Sequence, residues 1–177
     1  IAVRAAAAAA VAVILLAGGV TTVSLSKRLA QPLTVITHLG ERSQVVMTDG
    51  TKVWLNSASS VEYVAPFFSR ERRVKMDGEA YFEVQHDAQA PFVVSTNGLD
   101  IKVLGTRFNI RNDDSDHRIT TVLLEGAVKA YASGDEKAAV RLRPSQQLVF
   151  DTRTGAMRLT DEPSAHRSIN WIDGRFC

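Results

Sequence analysis

Beyond residue 33 the chain alternates apolar and polar positions in steps of two, and the alternation is clearest between residues 77 and 110. There Asp77-Gly78-Glu79-Ala80-Tyr81-Phe82-Glu83-Val84 sets Ala80, Phe82 and Val84 on one face and Tyr81 and Glu83 on the other, the signature of a β-strand. A polar break at Gln85-His86-Asp87 leads to Pro91-Phe92-Val93-Val94-Ser95-Thr96, and Ile101-Lys102-Val103-Leu104-Gly105-Thr106-Arg107-Phe108-Asn109-Ile110 closes the stretch. None of it has the three-to-four spacing of an amphipathic helix, and its glycines supply the positive backbone angles that tight turns use.

Similar short runs recur on both sides. Residues 34–38, 44–47, 52–55 and 61–64 read as strands before the central stretch, with Asp49-Gly50 as a hairpin turn. Residues 118–124, 127–131, 139–142, 147–151 and 156–159 read as strands after it. Residues 66–73, with Arg70, Arg72 and Arg73, read as a loop or single helical turn, and residues 160–170 as a polar linker. Gly50, Gly78, Gly105 and Gly126 each follow one strand and precede another, at intervals of 28, 27 and 21 positions. Such a repeat predicts a solenoid-like, twisted all-β domain whose rungs stack, with a two-sheet β-sandwich as the alternative.

The start of the chain follows a different rule. No charged side chain stands between Arg4 and Lys27, and residues 5–25 are almost wholly Ala, Val, Ile, Leu and Gly. As a helix that stretch is about 30 Å long, the thickness of a bilayer's hydrocarbon core, so it predicts a membrane-spanning helix, with a signal peptide as the other reading. Arg4 lies on one side and Lys27 and Arg28 on the other, and this local count places the large domain in the cytoplasm. The expected division is a transmembrane helix with its flanks at 1–28, a juxtamembrane linker and first strand at 29–38, a β domain at 39–159, and at 160–177 a linker with the truncated start of another domain. A chain that begins with Ile1 and ends within strand-like sequence is expected to be a fragment.

Composition narrows the chemistry. Of 177 residues 45% are hydrophobic and 23% charged, the balance of a globular protein, and a net charge of +2 without a basic stripe argues against nucleic-acid binding. The single cysteine, Cys177, excludes an internal disulfide and zinc-finger sites. His38, His86, His117 and His166 are far apart and read as turn or surface residues. Asn112-Asp113-Asp114-Ser115-Asp116 lacks the later bidentate Glu of a calcium loop and reads as a solvated hairpin tip. Glu79 and Glu83 share a sheet face but lie roughly 13 Å apart by strand rise, too far for a glycosidase pair. Ser57, Ser59 and Ser60 sit in no nucleophile frame, and no phosphate loop is present. No catalytic, cofactor-binding or metal residue is therefore assigned. Trp54 and Trp171 read as anchors of a thin β core, with partner contact as the alternative.

Several of these words occur together in one known family. Asp49-Gly50-Thr51-Lys52-Val53-Trp54-Leu55-Asn56-Ser57-Ala58-Ser59, then Arg73-Val74 leading to Gly78-Glu79-Ala80-Tyr81-Phe82-Glu83-Val84, Pro91-Phe92-Val93-Val94 and Val103-Leu104-Gly105-Thr106-Arg107-Phe108-Asn109 resemble the FecR domain of membrane-bound anti-sigma factors, over roughly residues 39–151. The resemblance implies a single-pass inner-membrane regulator without enzymatic activity and with its β domain in the periplasm, against the local charge count. It implies an extracytoplasmic-function sigma factor as partner, bound through a segment upstream of Ile1. It further implies the signalling domain of a TonB-dependent outer-membrane transporter as a second partner, received by a domain whose entry Trp171-Ile172-Asp173-Gly174-Arg175-Phe176 resembles. Staged cleavage of the spanning segment also follows from the resemblance, and Gly18-Gly19 would ease local unwinding there. A membrane-tethered glycan-binding β module is the alternative from another class, for which 7% aromatic residues is a thin supply.

Overall fold

The computed structural model describes residues 31–65, 67 and 70–172, and the charge-free residues 5–25 lie outside that part. The chain crosses between two sheets after every one or two strands. β1 (Pro32–Ile36) opens the first sheet, and β2 (Ser43–Val46) and β3 (Lys52–Leu55) form a hairpin in the second. β4 (Ser60–Val64) and β5 (Arg72–Asp77) return to the first, and β6 (Glu79–Glu83) crosses alone to the second. Four hairpins follow, alternating between first and second sheet: β7 (Phe92–Thr96) with β8 (Leu99–Val103), β9 (Arg107–Asp113) with β10 (Arg118–Glu125), β11 (Val128–Ala132) with β12 (Val140–Leu142), and β13 (Gln146–Asp151) with β14 (Met157–Asp161).

Each sheet has seven strands, ordered β1-β4-β5-β7-β8-β11-β12 and β2-β3-β6-β9-β10-β13-β14, both rising in chain order. The solenoid-like expectation is thereby corrected in favour of two sheets. Every neighbouring pair is antiparallel except β5 with β7, whereas rungs of a coil run parallel. The sequential stacking that prompted the solenoid reading survives in the strand order.

Inward positions of both sheets share one core. Val53, Leu55, Ala80, Phe82, Phe108, Ile110, Ile119 and Leu123 meet Val61, Val74, Met76, Phe92, Val94 and Ile101. Phe82 stacks on Phe108 within its sheet at 5.1 Å and 12°, and approaches Phe92 of the other sheet at 6.3 Å. The glycine repeat has a different meaning from rungs. Gly50 turns the β2–β3 hairpin, while Gly78, Gly105 and Gly126 stand where the chain leaves one sheet for the other. Gly78 has φ +82°, and a Cβ there would lie 2.5 Å from Ser59 Oγ. Gly105 is required by closeness instead: a Cβ would meet His86 Cβ at 2.7 Å.

Arg72 and Arg73, expected in a loop or single helical turn, belong to β5, and part of the span expected as a C-terminal linker is regular too. Arg72 begins β5 with its side chain inward, where Nε donates to the Ala90 carbonyl at 2.8 Å and Nη1 donates to Asp49 Oδ2 at 2.7 Å and to the Gln85 carbonyl at 2.9 Å. Its guanidinium lies 5.4 Å from the Phe92 ring centre. The span 160–170, expected as a linker, contains the end of β14 and a 3-10 helix, Ala165–Ile169, set against β10. The Glu162 N–H donates to the Ser145 carbonyl at 2.7 Å, and Ala165 is buried. Val122, on the face of β10 away from the core, is buried too. Among the described residues no helix is long and apolar enough to cross a membrane.

Candidate functional site

The outer face of the second sheet carries a connected set of aromatic and amide contacts. Register places Trp54, Tyr81 and Asn109 side by side on β3, β6 and β9. Trp54 and Tyr81 have ring centres 5.3 Å apart, and the buried Tyr81 hydroxyl donates to Glu83 Oε1 at 3.3 Å. Burial, with the Glu83 carboxylate next to it, raises the phenol's pKa and keeps it protonated. Glu79 accepts the side-chain amides of Asn56 and Asn109, each at 2.9 Å. Trp54, Trp171 and Ile172 line an open pocket of about 200 Å³ together with Arg42 and Gln44.

A second feature lies where β5 crosses to β6. Ser57, Asp77, Glu79, Arg111, Asp113 and Asp114 border an open groove of about 460 Å³. Each of its carboxylates is occupied: Asp77 takes the Asn112 amide at 2.7 Å, Asp113 takes the Ser115 hydroxyl at 2.6 Å and Arg111 at 3.1 Å, and Asp114 takes Asn97 at 3.2 Å. The Ser115 hydrogen bond, followed by Arg111, holds Asp113 below the usual carboxylate range, the wrong direction for a proton donor at neutral pH. The acidic run is the solvated tip of the β9–β10 hairpin, as its sequence predicts, and it also forms one wall of this groove.

The outer face of the first sheet is a ladder of opposite charges. Lys102 reaches Glu71 at 3.0 Å and Glu136 at 3.3 Å, Lys129 reaches Glu136 at 2.8 Å, and Arg73 reaches Asp100 at 3.1 Å. Hydrogen bonding to Lys102 lowers the Glu71 pKa, hydrogen bonding to Lys129 and Lys102 lowers that of Glu136, and Glu71 raises that of Lys102.

The residues singled out from sequence scatter over the fold. His38 starts a turn capped by Glu41, His86 lies against Gly105, His117 occupies a turn at φ +53°, and His166 is in the 3-10 helix. Among the described residues no three His, Cys, Asp or Glu are placed to hold a metal ion. Ser59 and Ser57 are structural: Ser59 Oγ accepts the Glu79 N–H at 2.8 Å, and Ser57 Oγ accepts the Gly40 N–H at 2.8 Å. Glu79 and Glu83 do share a face, each with its own partners. The sequence reading missed Asn56, Asn109 and Arg72; the alternation marked Asn109 as an outward strand position but gave no sign of its cover.

The sequence profile of the FecR protein family matches residues 33–129, which spans β1 to β11. Two crystal structures of a candidate anti-sigma factor from Parabacteroides distasonis ATCC 8503, at 2.50 and 1.65 Å, share the fold. The first gives a TM-score of 0.75 at 31% identity over 81% of this chain and 66% of that one. The second gives 0.74 at 32% over 80% and 65%. The chain thus spans just under two thirds of the length of these relatives. No curated protein matches it. The family match extends over more than half of the chain and coincides with the strands that build its shared core, so the chain belongs to the FecR protein family.

Proposed function

We propose that this chain is the membrane and extracytoplasmic part of an anti-sigma regulator, with residues 5–25 crossing the inner membrane once and the two-sheet body in the periplasm. In this reading the body is a rigid, non-catalytic element that relays a signal from a TonB-dependent outer-membrane transporter to an extracytoplasmic-function sigma factor. The FecR family match over residues 33–129 carries the reading. Similarity to solved structures of a candidate anti-sigma factor supports it. The groove's carboxylates are tied to amides, a hydroxyl and Arg111 of the fold itself. The glycan-binding alternative gains no support. Among the described residues the large exposed apolar side chains are all aliphatic, and the aromatic residues Trp54 and Tyr81 are turned on each other.

In-frame deletion of residues 32–172 from the chromosomal gene should uncouple transcription by the sigma factor from its inducing signal. A transcript that stays inducible would end the regulatory reading. An alkaline phosphatase fusion after Ile172 should be active, and an inactive phosphatase with an active β-galactosidase at the same place would reverse the topology.

A further inference from the structure

We infer that the rim made by β1 and the turn after it rests on the lipid surface from which the chain emerges, with Leu33, Ile36 and Leu39 among the headgroups. The inference rests on the membrane anchoring proposed above. β1 and β2 are the outermost strands at one end of the two sheets. Leu33 is 49% exposed, Ile36 62% and Leu39 87%, and Val46 on β2 is 61% exposed. Neither strand carries a charge, and the turn between them has its charges, Glu41 and Arg42, only beyond Leu39, whereas at the opposite end β12 contains Arg141 and β14 contains Arg158 and Asp161. Edge strands that face water are ordinarily guarded by charged side chains, so an uncharged, apolar edge is one that is covered where the protein works.

Chain length says what covers it. The charge-free stretch ends at Leu25 and β1 begins at Pro32, seven positions later, a reach of at most about 24 Å when fully extended. Lys27 and Arg28 lie in that interval, two charges of the sign that anionic headgroups attract. The apolar rim is therefore the part of the body on the shortest tether to the bilayer. At headgroup depth the free N–H and C=O groups of the β1 edge still meet water and headgroup oxygens, so no polar backbone has to enter hydrocarbon.

The test uses the full chain reconstituted in phosphatidylethanolamine and phosphatidylglycerol vesicles, with Cys177→Ser as background. Single cysteines from Ile36→Cys, Leu39→Cys and, as the distant control, Leu159→Cys on β14 are labelled with an environment-sensitive fluorophore. Lipids spin-labelled at the headgroup should cause a loss of emission at 36 and 39 and leave 159 unchanged. Equal emission at all three positions, in protein that floats with the vesicles after alkaline carbonate, overturns the docking and leaves the anchor standing. Protein that does not float removes the anchor and the inference with it. Disulfide linkage of two Ile36→Cys chains without quenching assigns the rim to a second copy and likewise overturns the lipid contact.

Discussion

At the scale of single residues, Arg72 is the least expected member of the fold. It occupies an inward strand position, 4% exposed, where alternation calls for an apolar side chain. The run Arg72-Arg73-Val74-Lys75-Met76-Asp77 therefore hid a strand: its first inward residue is a cation whose partners, Asp49, Gln85 and Ala90, are distant in sequence. A buried guanidinium persists only when paired, and removing it leaves two carbonyls without that donor and the Asp49 carboxylate, among the described residues, with no cation and held by Thr51 alone. Arg72→Ala should lower unfolding free energy by about 3–5 kcal/mol, measured by urea denaturation at neutral pH. The double variant with Asp49→Ala should cost less than the sum of the two single changes, because each single change already breaks the pair. Strict additivity would show that the ion pair adds nothing.

At the scale of elements, two surfaces behave differently under perturbation. The charge ladder over β5, β8 and β11 couples stability to pH. Glu71 and Glu136 have folded pKa values below their ordinary 4.5, so their contribution is complete above that value and is lost as pH falls through the lower folded one. Lys102 is raised above 10.5, so its contribution holds below that value and is lost only as pH climbs past the folded one. Urea midpoints should be level near neutrality and fall on acidification below about 4.5. Lys102→Met should make that acid decline shallower, since Glu71 loses its strongest partner while Glu136 keeps Lys129; an unchanged slope would place the acid sensitivity elsewhere. The C-terminal 3-10 helix is held by shape instead. The helix packs on β10, and Ala165 and Val122 are both buried, where a polar sequence gave no hint of docking, because cover of an outer sheet face needs only a few small contacts and no period. Ala165→Asp, placing a charge in that contact, should cost about 1–2 kcal/mol and, in a Trp54→Phe background, shift Trp171 emission to the red. Emission that stays put would mean that the segment is held by other contacts.

At the scale of the whole molecule, period-two alternation made the β class and most strand positions legible, because an inward face repeats locally. Assignment of strands to sheets was not legible: partners such as β5 and β7 are chosen across an intervening strand of the other sheet, and no local pattern records that. Of the four glycines that suggested rungs, Gly78, Gly105 and Gly126 are crossing points, which a coil and a two-sheet body both need, and Gly50 turns a hairpin. This architecture makes a definite claim about cooperativity. Since the chain changes sheet after every one or two strands, neither sheet is a continuous piece of sequence, and the Phe82, Phe108 and Phe92 rings tie the two across the core. Loss of one sheet must then strip the inward face of the other, so the body should unfold in one step. Phe82→Ala should cost about 3–5 kcal/mol, and amide exchange should speed up by the same factor in the central strands of both sheets, β7 and β8 as much as β6 and β9. Faster exchange confined to β6 and β9 would show that the sheets come apart separately, and a body that does so could not carry force or position from one end of the chain to the other as a rigid relay requires.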